Sequence, residues 1–355
     1  MLSLTLITLG ITAALSFATP AKRVPALEVS LTAPTIVNSI QDIKVTAAVT
    51  NTASDPLKIL KYGTVLDNDL PTHSFIVSKD GVTADFTGIR IQVDMDALDD
   101  SAFTVIPAGE TVVVEHEVAP LYNFEALGTG TYTFEPVTTF QVIEDNAKPN
   151  IYKVFASKLT IEIKGDVAKR SLKVRDKRAT VSCSDYSQKS FISSSYYESK
   201  SLASLASLYI SIYGANSLFQ SYFGTTSTST VINVFDNVAN ENSSSRTLNC
   251  NDPYGACTNG VIAYTLVATT DIYFCSIFYN EVASSSLCYG TTVAARNIRG
   301  GTTLHELTHA TSQTVDFGYG CAFDQSLASS NPAQAAQNAD NYNCFATQVY
   351  QDTQC

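Results

Sequence analysis

The chain has 355 residues, enough for two domains with sizeable cores. Its composition, 45% hydrophobic and 15% charged, describes a globular, poorly charged protein. A net charge of −11 argues against nucleic acid as a partner, and after the N-terminus no apolar run has the length of a membrane span.

In chain order, Met1 to Ala18 is apolar, and Ser16-Phe17-Ala18 offers small residues at both cleavage-determining positions. This predicts a signal peptide removed after Ala18, and hence a secreted, extracellular protein; the segment is too short to serve well as an anchor. From about Val24 to Lys164 β-branched runs alternate, as in Asp42–Thr50, Thr111–Val118 and Tyr132–Glu135, with Gly, Asp, Asn and Pro between them. The pattern predicts a small antiparallel β-sandwich. An isolated histidine there, such as His73, reads as a surface or core residue rather than a metal ligand. The linker Gly165–Arg178 follows, with two dibasic pairs, Lys169-Arg170 and Lys177-Arg178. A plain solvated linker is the simpler reading. The position just before Cys183 favours processing by a kexin-like protease, making residues 19–178 a propeptide and residues 179–355 the mature domain.

All eight cysteines (Cys183, Cys250, Cys257, Cys275, Cys288, Cys321, Cys344, Cys355) fall in the second half. An even number in a secreted chain reads as disulfides, and no C-x-x-C pair suggests a structural zinc. Leu202, Leu205, Leu208 and Ile212 recur at helical spacing, as do Val231, Val234, Phe235 and Val238, and both sets are expected to be core faces. Asn251–Gly255 reads as a turn, and Val261–Leu266 and Ile272–Cys275 as strands. A helix is expected over Thr302–Ala310, with Gly300-Gly301 marking its start, and a last helix over Pro332–Val349. The fold class is therefore α+β: a mainly helical catalytic domain with one small sheet, preceded by a β-sandwich-like propeptide.

The expected helix 302–310 carries His305-Glu306-Leu307-Thr308-His309, the pattern H-E-x-x-H. Positions i and i+4 share one helix face, so both imidazoles can reach one metal ion, with the glutamate beside it as base. Catalytic zinc takes three protein ligands and keeps an open position. The competing reading is an amphipathic helix with two partly exposed histidines, but the neighbouring Thr303, Leu304, Leu307, Thr308 and Ala310 carry no charge, which suits a helix buried beneath a metal. No histidine and no glutamate follows His309. A third ligand downstream is thus an aspartate, from Asp316, Asp324, Asp340 and Asp352. Asp316 is the best placed, ahead of a glycine-containing segment that permits an irregular backbone, and Asp340 is second.

Thr314-Val315-Asp316-Phe317-Gly318-Tyr319-Gly320 matches all but the first glycine of G-T-x-D-x-x-Y-G, with Gln313 in that glycine's place. With the H-E-x-x-H, Cys250–Gly255, Cys257, residues 263–266 and Asn338–Tyr342, the chain resembles the deuterolysins (aspzincins), fungal secreted zinc endopeptidases, across essentially all of 179–355. The resemblance implies a zincin-like catalytic domain holding one zinc through His305, His309 and Asp316, Glu306 as general base and Tyr319 as a second oxyanion donor. Asp340 matches the aspartate that recognises substrate lysine in lysine-specific relatives, so a peptidyl-Lys preference is a sub-hypothesis. The family pattern also implies the pairs Cys183–Cys250, Cys257–Cys275 and Cys288–Cys355, which leaves Cys321 with Cys344.

These observations together lead us to expect a secreted zinc metalloendopeptidase made as a zymogen, with protein or peptide substrates, a monomer with neither nucleic-acid nor membrane partner. The alternatives are a non-catalytic secreted zinc-binding relative and a different metallohydrolase.

Overall fold

A computed structural model describes residues 26–143, 149–154, 156–168 and 183–355. The expected signal peptide and both dibasic pairs lie outside the described residues.

The N-terminal half is built of strands: β1 (Leu27–Thr32), β2 (Ile36–Ser39), β3 (Lys44–Asn51), β4 (Leu57–Leu60), β5 (Phe75–Lys79), β6 (Val82–Thr83), β7 (Ile89–Val93), β8 (Phe103–Ile106), β9 (Thr111–Glu117), β10 (Gly130–Pro136), β11 (Thr139–Ile143), β12 (Pro149–Lys153) and β13 (Leu159–Asp166). The alternation seen in the sequence is the alternation of burial. In β3, Val45, Ala47 and Val49 point inward between half-exposed Lys44, Thr46, Ala48 and Thr50, as a period of two dictates. The expected β-sandwich is met in the β-rich fold around one core, but not in the number of sheets or in a wholly antiparallel pairing. The strands divide among three sheets, β1-β3-β9, β2-β13-β10-β5-β6 and β12-β11-β4-β8, and β2 joins β13 in parallel. β7 belongs to none of these sheets.

The C-terminal half holds α1 (Tyr186–Tyr213), α2 (Ser217–Phe223), α3 (Thr228–Ala239), β14 (Leu248–Asn249), β15 (Val261–Leu266), β16 (Asp271–Phe274), α4 (Arg299–Ser312), α5 (Cys321–Ser330), α6 (Pro332–Ala335) and α7 (Ala339–Gln354). Its sheet runs β14-β16-β15-β7, so a strand of the N-terminal half closes the sheet of the C-terminal half. β7 pairs antiparallel with β15, Ile91 opposite Tyr264 and Arg90 opposite Thr265. Every residue of both strands is buried. The fold is thus mixed α/β, with several sheets and seven helices among the described residues.

Asp185 caps α1 by accepting from the amides of Ser187 and Gln188. Its buried face differs from the expected leucine stripe: Leu202 is buried, but Leu208 and Ile212 are exposed. Small residues (Ser195, Ser199, Ala203, Ala206) line the inward face instead, which lets neighbouring helices approach closely. Gly300 and Gly301 are the second and third residues of α4, in its first turn, so they do mark its start. A Cβ on Gly301 would sit 2.3 Å from Asn343 Oδ1 of α7, and one on Gly300 2.7 Å from Glu198 Cβ of α1. The glycines are where α1 and α7 press against α4. The expected last helix is broken at residues 336–338 into α6 and α7. The disulfides are Cys183–Cys250, Cys257–Cys275, Cys288–Cys355 and Cys321–Cys344, the pairs that the resemblance implies.

Candidate metal and catalytic site

Helix α4 is buried along Gly300–Ala310, on all its faces. His305 and His309 stand one turn apart on it, with Nε2 atoms 3.1 Å from each other. The loop after α4 carries Asp316 back to them: its Oδ1 lies 3.1 Å from His305 Nε2 and 3.2 Å from His309 Nε2. That oxygen accepts no hydrogen bond of sound geometry and is buried.

The loop is fixed at both ends. Gln313 ends α4 in the left-handed region, φ +56°, the conformation for which glycine is favoured. Thr314 Oγ1 meets Thr308 Oγ1 at 2.7 Å. Val315 bridges Asn338, its amide donating to Gln337 O and its carbonyl accepting from Ala339. Phe317 donates its amide to Asn338 Oδ1. The loop therefore reaches the histidines with the left-handed backbone at Gln313 and not at Asp316.

The histidine tautomers follow from their other nitrogens. His309 Nδ1 faces the Thr314 carbonyl at 2.8 Å, so it carries the proton and Nε2 presents a lone pair. His305 Nδ1 faces Asp340 Oδ1 at 3.6 Å, which favours the same tautomer. Three buried lone-pair atoms then converge from a His-His-Asp set, spaced as ligands at about 2.0–2.2 Å from one ion would be. The local field agrees. Burial alone would lower the His305 pKa, yet Asp316 and Asp340 raise it to about 9, so without an ion the ring holds a second proton, which a cation between these atoms displaces to leave the lone pair. Burial would raise Asp316, yet the two histidines hold it below the usual carboxylate range. The point between these atoms favours positive charge.

Glu306 is fully buried beside them. Its Oε2 accepts from Thr265 Oγ1 at 2.6 Å, and its Oε1 has no partner. Burial raises its pKa to about 8. Tyr319 is buried with its ring stacked at 6.4 Å on that of His305. Its hydroxyl donates to Ile91 O of β7 at 2.8 Å, and Gln141 of β11 brackets its backbone, donating to its carbonyl and accepting from its amide.

Asp340, expected to meet substrate, is completely buried. Its Oδ1 accepts from Arg296 Nε and Nη2 at 3.1 and 2.5 Å, and its Oδ2 from the Gly320 amide at 2.6 Å. Thr265 and Arg296 escaped the sequence reading. Thr265 lay in the noted run 263–266, while Arg296 had no signal at all.

The N-terminal half seals this site. Gly63, Thr72, His73, Ile89, Arg90 and Ile91 enclose Asp316 and Tyr319 around a cavity of about 10 Å³, no more than one water. His73 is thus close to the site without joining the converging ligand set. Burial and the Arg90 charge lower its pKa to about 3, leaving it neutral.

The whole chain, residues 1–355, matches the model of the deuterolysin metalloprotease (M35) family. The chain belongs to that family. It is a metalloendopeptidase, a hydrolase of peptide bonds. A peptidyl-Lys metalloendopeptidase of Armillaria mellea is 30% identical over 336 residues, 91% of this chain and 92% of the relative. A neutral protease 2 homolog of Colletotrichum graminicola is 30% identical over 319 residues, 86% and 88% of the two chains. Among solved structures, a zinc peptidase from Grifola frondosa shares 25% identity, covers 46% of this deuterolysin-family chain and 96% of its own, and has a TM-score of 0.39.

Proposed function

We propose that this chain is a secreted zinc metalloendopeptidase made as a latent zymogen, with His305, His309 and Asp316 as zinc ligands and Glu306 as general base. The observation that carries the reading is the convergence of three buried lone-pair atoms, 3.1–3.2 Å apart, next to a carboxylate with one free oxygen. Zinc bound there supplies Lewis acidity, lowering the pKa of water and polarising the scissile carbonyl.

The chain's own groups do the rest. Thr265 fixes one Glu306 oxygen, so the other is aimed to take a proton from water and later pass it to the leaving amine. Nearby positive charge lowers a carboxyl pKa, so the value of about 8 falls once a cation sits between the ligands. Tyr319, a neutral donor whose pKa burial pushes up, offers its hydroxyl to a carbonyl. Asp340 is already matched by Arg296, which favours a carboxylate that orients His305 over one that selects lysine. Latency rests on β7, which lies along β15 with Ile91 O on the Tyr319 hydroxyl. Processing at Lys177-Arg178 by a kexin-like protease would free that edge.

The test is hydrolysis of unfolded casein by the zinc-loaded chain after cutting within residues 169–178. Cleavage abolished by 1,10-phenanthroline and restored by zinc is the expected result. No cleavage by the folded, zinc-loaded, cut chain would overturn the reading in favour of a non-catalytic zinc-binding relative.

A further inference from the structure

β7 shows how an extended chain sits against this site. Ile91 and Val93 are two residues apart, so their carbonyls leave the same edge of the strand, the edge away from β15. There Ile91 O accepts from Tyr319 Oη at 2.8 Å, and Val93 O accepts from Arg296 Nη1 at 3.1 Å. The strand is held on both edges, by β15 on one and by Tyr319 and Arg296 on the other.

Arg296 is prepared for this contact. Asp340, fully buried, takes its Nε and Nη2 and leaves Nη1 pointing at the strand. Its guanidinium lies 5.9 Å over the Tyr319 ring. Its backbone is left-handed, φ +48° and ψ +27°, a conformation that costs a non-glycine residue energy and recurs at functional positions. Once the N-terminal half leaves, this Nη1 loses the acceptor that Val93 provides. Uncovered, that donor meets water, and a substrate carbonyl in the same place can displace the water and bond a guanidinium that Asp340 already orients.

We infer that Arg296 is a substrate-binding residue: its Nη1 donates to the backbone carbonyl of the second residue beyond the cleaved bond, the place Val93 now fills. The assignment rests on the peptidase reading, in which the carbonyl at Tyr319 is the one cleaved; counting from Ile91, Val93 is then the second residue on the leaving side. A backbone carbonyl is common to every sequence, so the contact binds peptides without selecting side chains.

The test uses the whole chain, folded, zinc-loaded and cut within residues 169–178, carrying Glu306→Gln so that binding is read without cleavage. Two fluorescent peptides with the sequence of Gly88–Asp94 are compared, one with the Val93 carbonyl and one with a methylene in its place. Both compete with the N-terminal portion left in solution, and their ratio within one protein cancels that competition. With Arg296 the methylene peptide binds about tenfold more weakly or worse, the scale of a hydrogen bond to a charged donor. With Arg296→Lys, which keeps a charge against Asp340, the two peptides differ by less than about twofold. Equal losses in both proteins, no loss with Arg296, or no peptide binding at all would overturn the assignment. Should Arg296→Lys fail to fold, the guanidinium ¹⁵N resonance of Arg296 decides: it must move with the carbonyl peptide and not with the methylene one. Casein hydrolysis by the Glu306 protein is read separately. Peptide binding through Arg296 without hydrolysis would sink the peptidase reading and leave this one standing.

Discussion

Glu281 is buried, accepts one hydrogen bond from Thr302 Oγ1 at 2.6 Å, and has no partner for its other oxygen. Burial raises its pKa from 4.5 to about 8. Below about pH 4.5 folded and unfolded states both hold the proton, so the group is neutral to stability. Between that point and pH 8 the unfolded chain ionises while the folded chain does not, and folding loses about 1.4 kcal/mol per pH unit. Glu281→Gln removes the ionisation. Its stability relative to the native chain should therefore rise from pH 5 to pH 8, read from urea midpoints; a difference independent of pH would refute the burial argument. Gln313 offers a second residue-scale test. It holds φ +56° where the family pattern has glycine, so Gln313→Gly should raise stability by roughly 0.5–1 kcal/mol, seen as a higher thermal midpoint. At this scale the cluster was legible, because His305, His309 and Asp316 announce themselves by type and spacing and the fold brings them together. Arg296 did not: a single arginine in a loop has no periodicity, and only the fold brings it to Asp340.

At the scale of elements, the Cys321–Cys344 disulfide ties the start of α5 to α7, close to both Gly320 and Asp340. It closes a loop with a sequence separation of 23 residues, for which chain entropy gives about 3 kcal/mol. Replacing both cysteines by alanine should cost about that much in denaturant unfolding. It should also reduce zinc retention, because the loop bearing Asp316 is pinned to the start of α7 by Val315, Phe317 and Asn338. Retention unchanged at the lower stability would mean that those hydrogen bonds hold the loop unaided. The same region shows why element boundaries were harder to read than element types. Periodicity placed α3 well, since it shows its apolar residues to one core, while β15 was legible as a short apolar run, its residues dividing between two cores. The long final helix was overdrawn because its break lies at Asn338, whose side chain leaves the helical path to bond Gly318 O, Asp324 and Asn341. Gly300-Gly301 marks the start of α4 as expected, but the sequence did not show the second reason for these glycines, the close approach of α1 and α7.

At the scale of the whole molecule, each half has a core of its own and the two share a third, in which β7, Leu60 and Tyr62 pack against Val261, Tyr264 and Tyr319. The sequence of β7, Ile-Arg-Ile-Gln-Val, alternates as a half-exposed strand should, yet all five residues are buried. The polar Arg90 and Gln92 are covered because the strand lies in a cleft, and a cleft made by residues far away in sequence leaves no trace in a local pattern. In the proposed zymogen, latency depends on this strand keeping its place. The uncut, zinc-loaded chain should hydrolyse casein at least about 100-fold more slowly than the same chain cut within residues 169–178, since losing access to the Tyr319 donor alone accounts for about that factor. Ile91 turns its carbonyl to Tyr319, so by alternation Gln92 turns its backbone to β15. Proline there removes a donor and breaks the pairing. Gln92→Pro in the uncut chain should therefore recover part of the lost activity while leaving the C-terminal half and its disulfides untouched. Full activity in the uncut native chain would show that the strand does not block the site; a Gln92→Pro chain as inert as the native one would shift latency from β7 to the other contacts of the N-terminal half, foremost the bracket that Gln141 forms on the Tyr319 backbone.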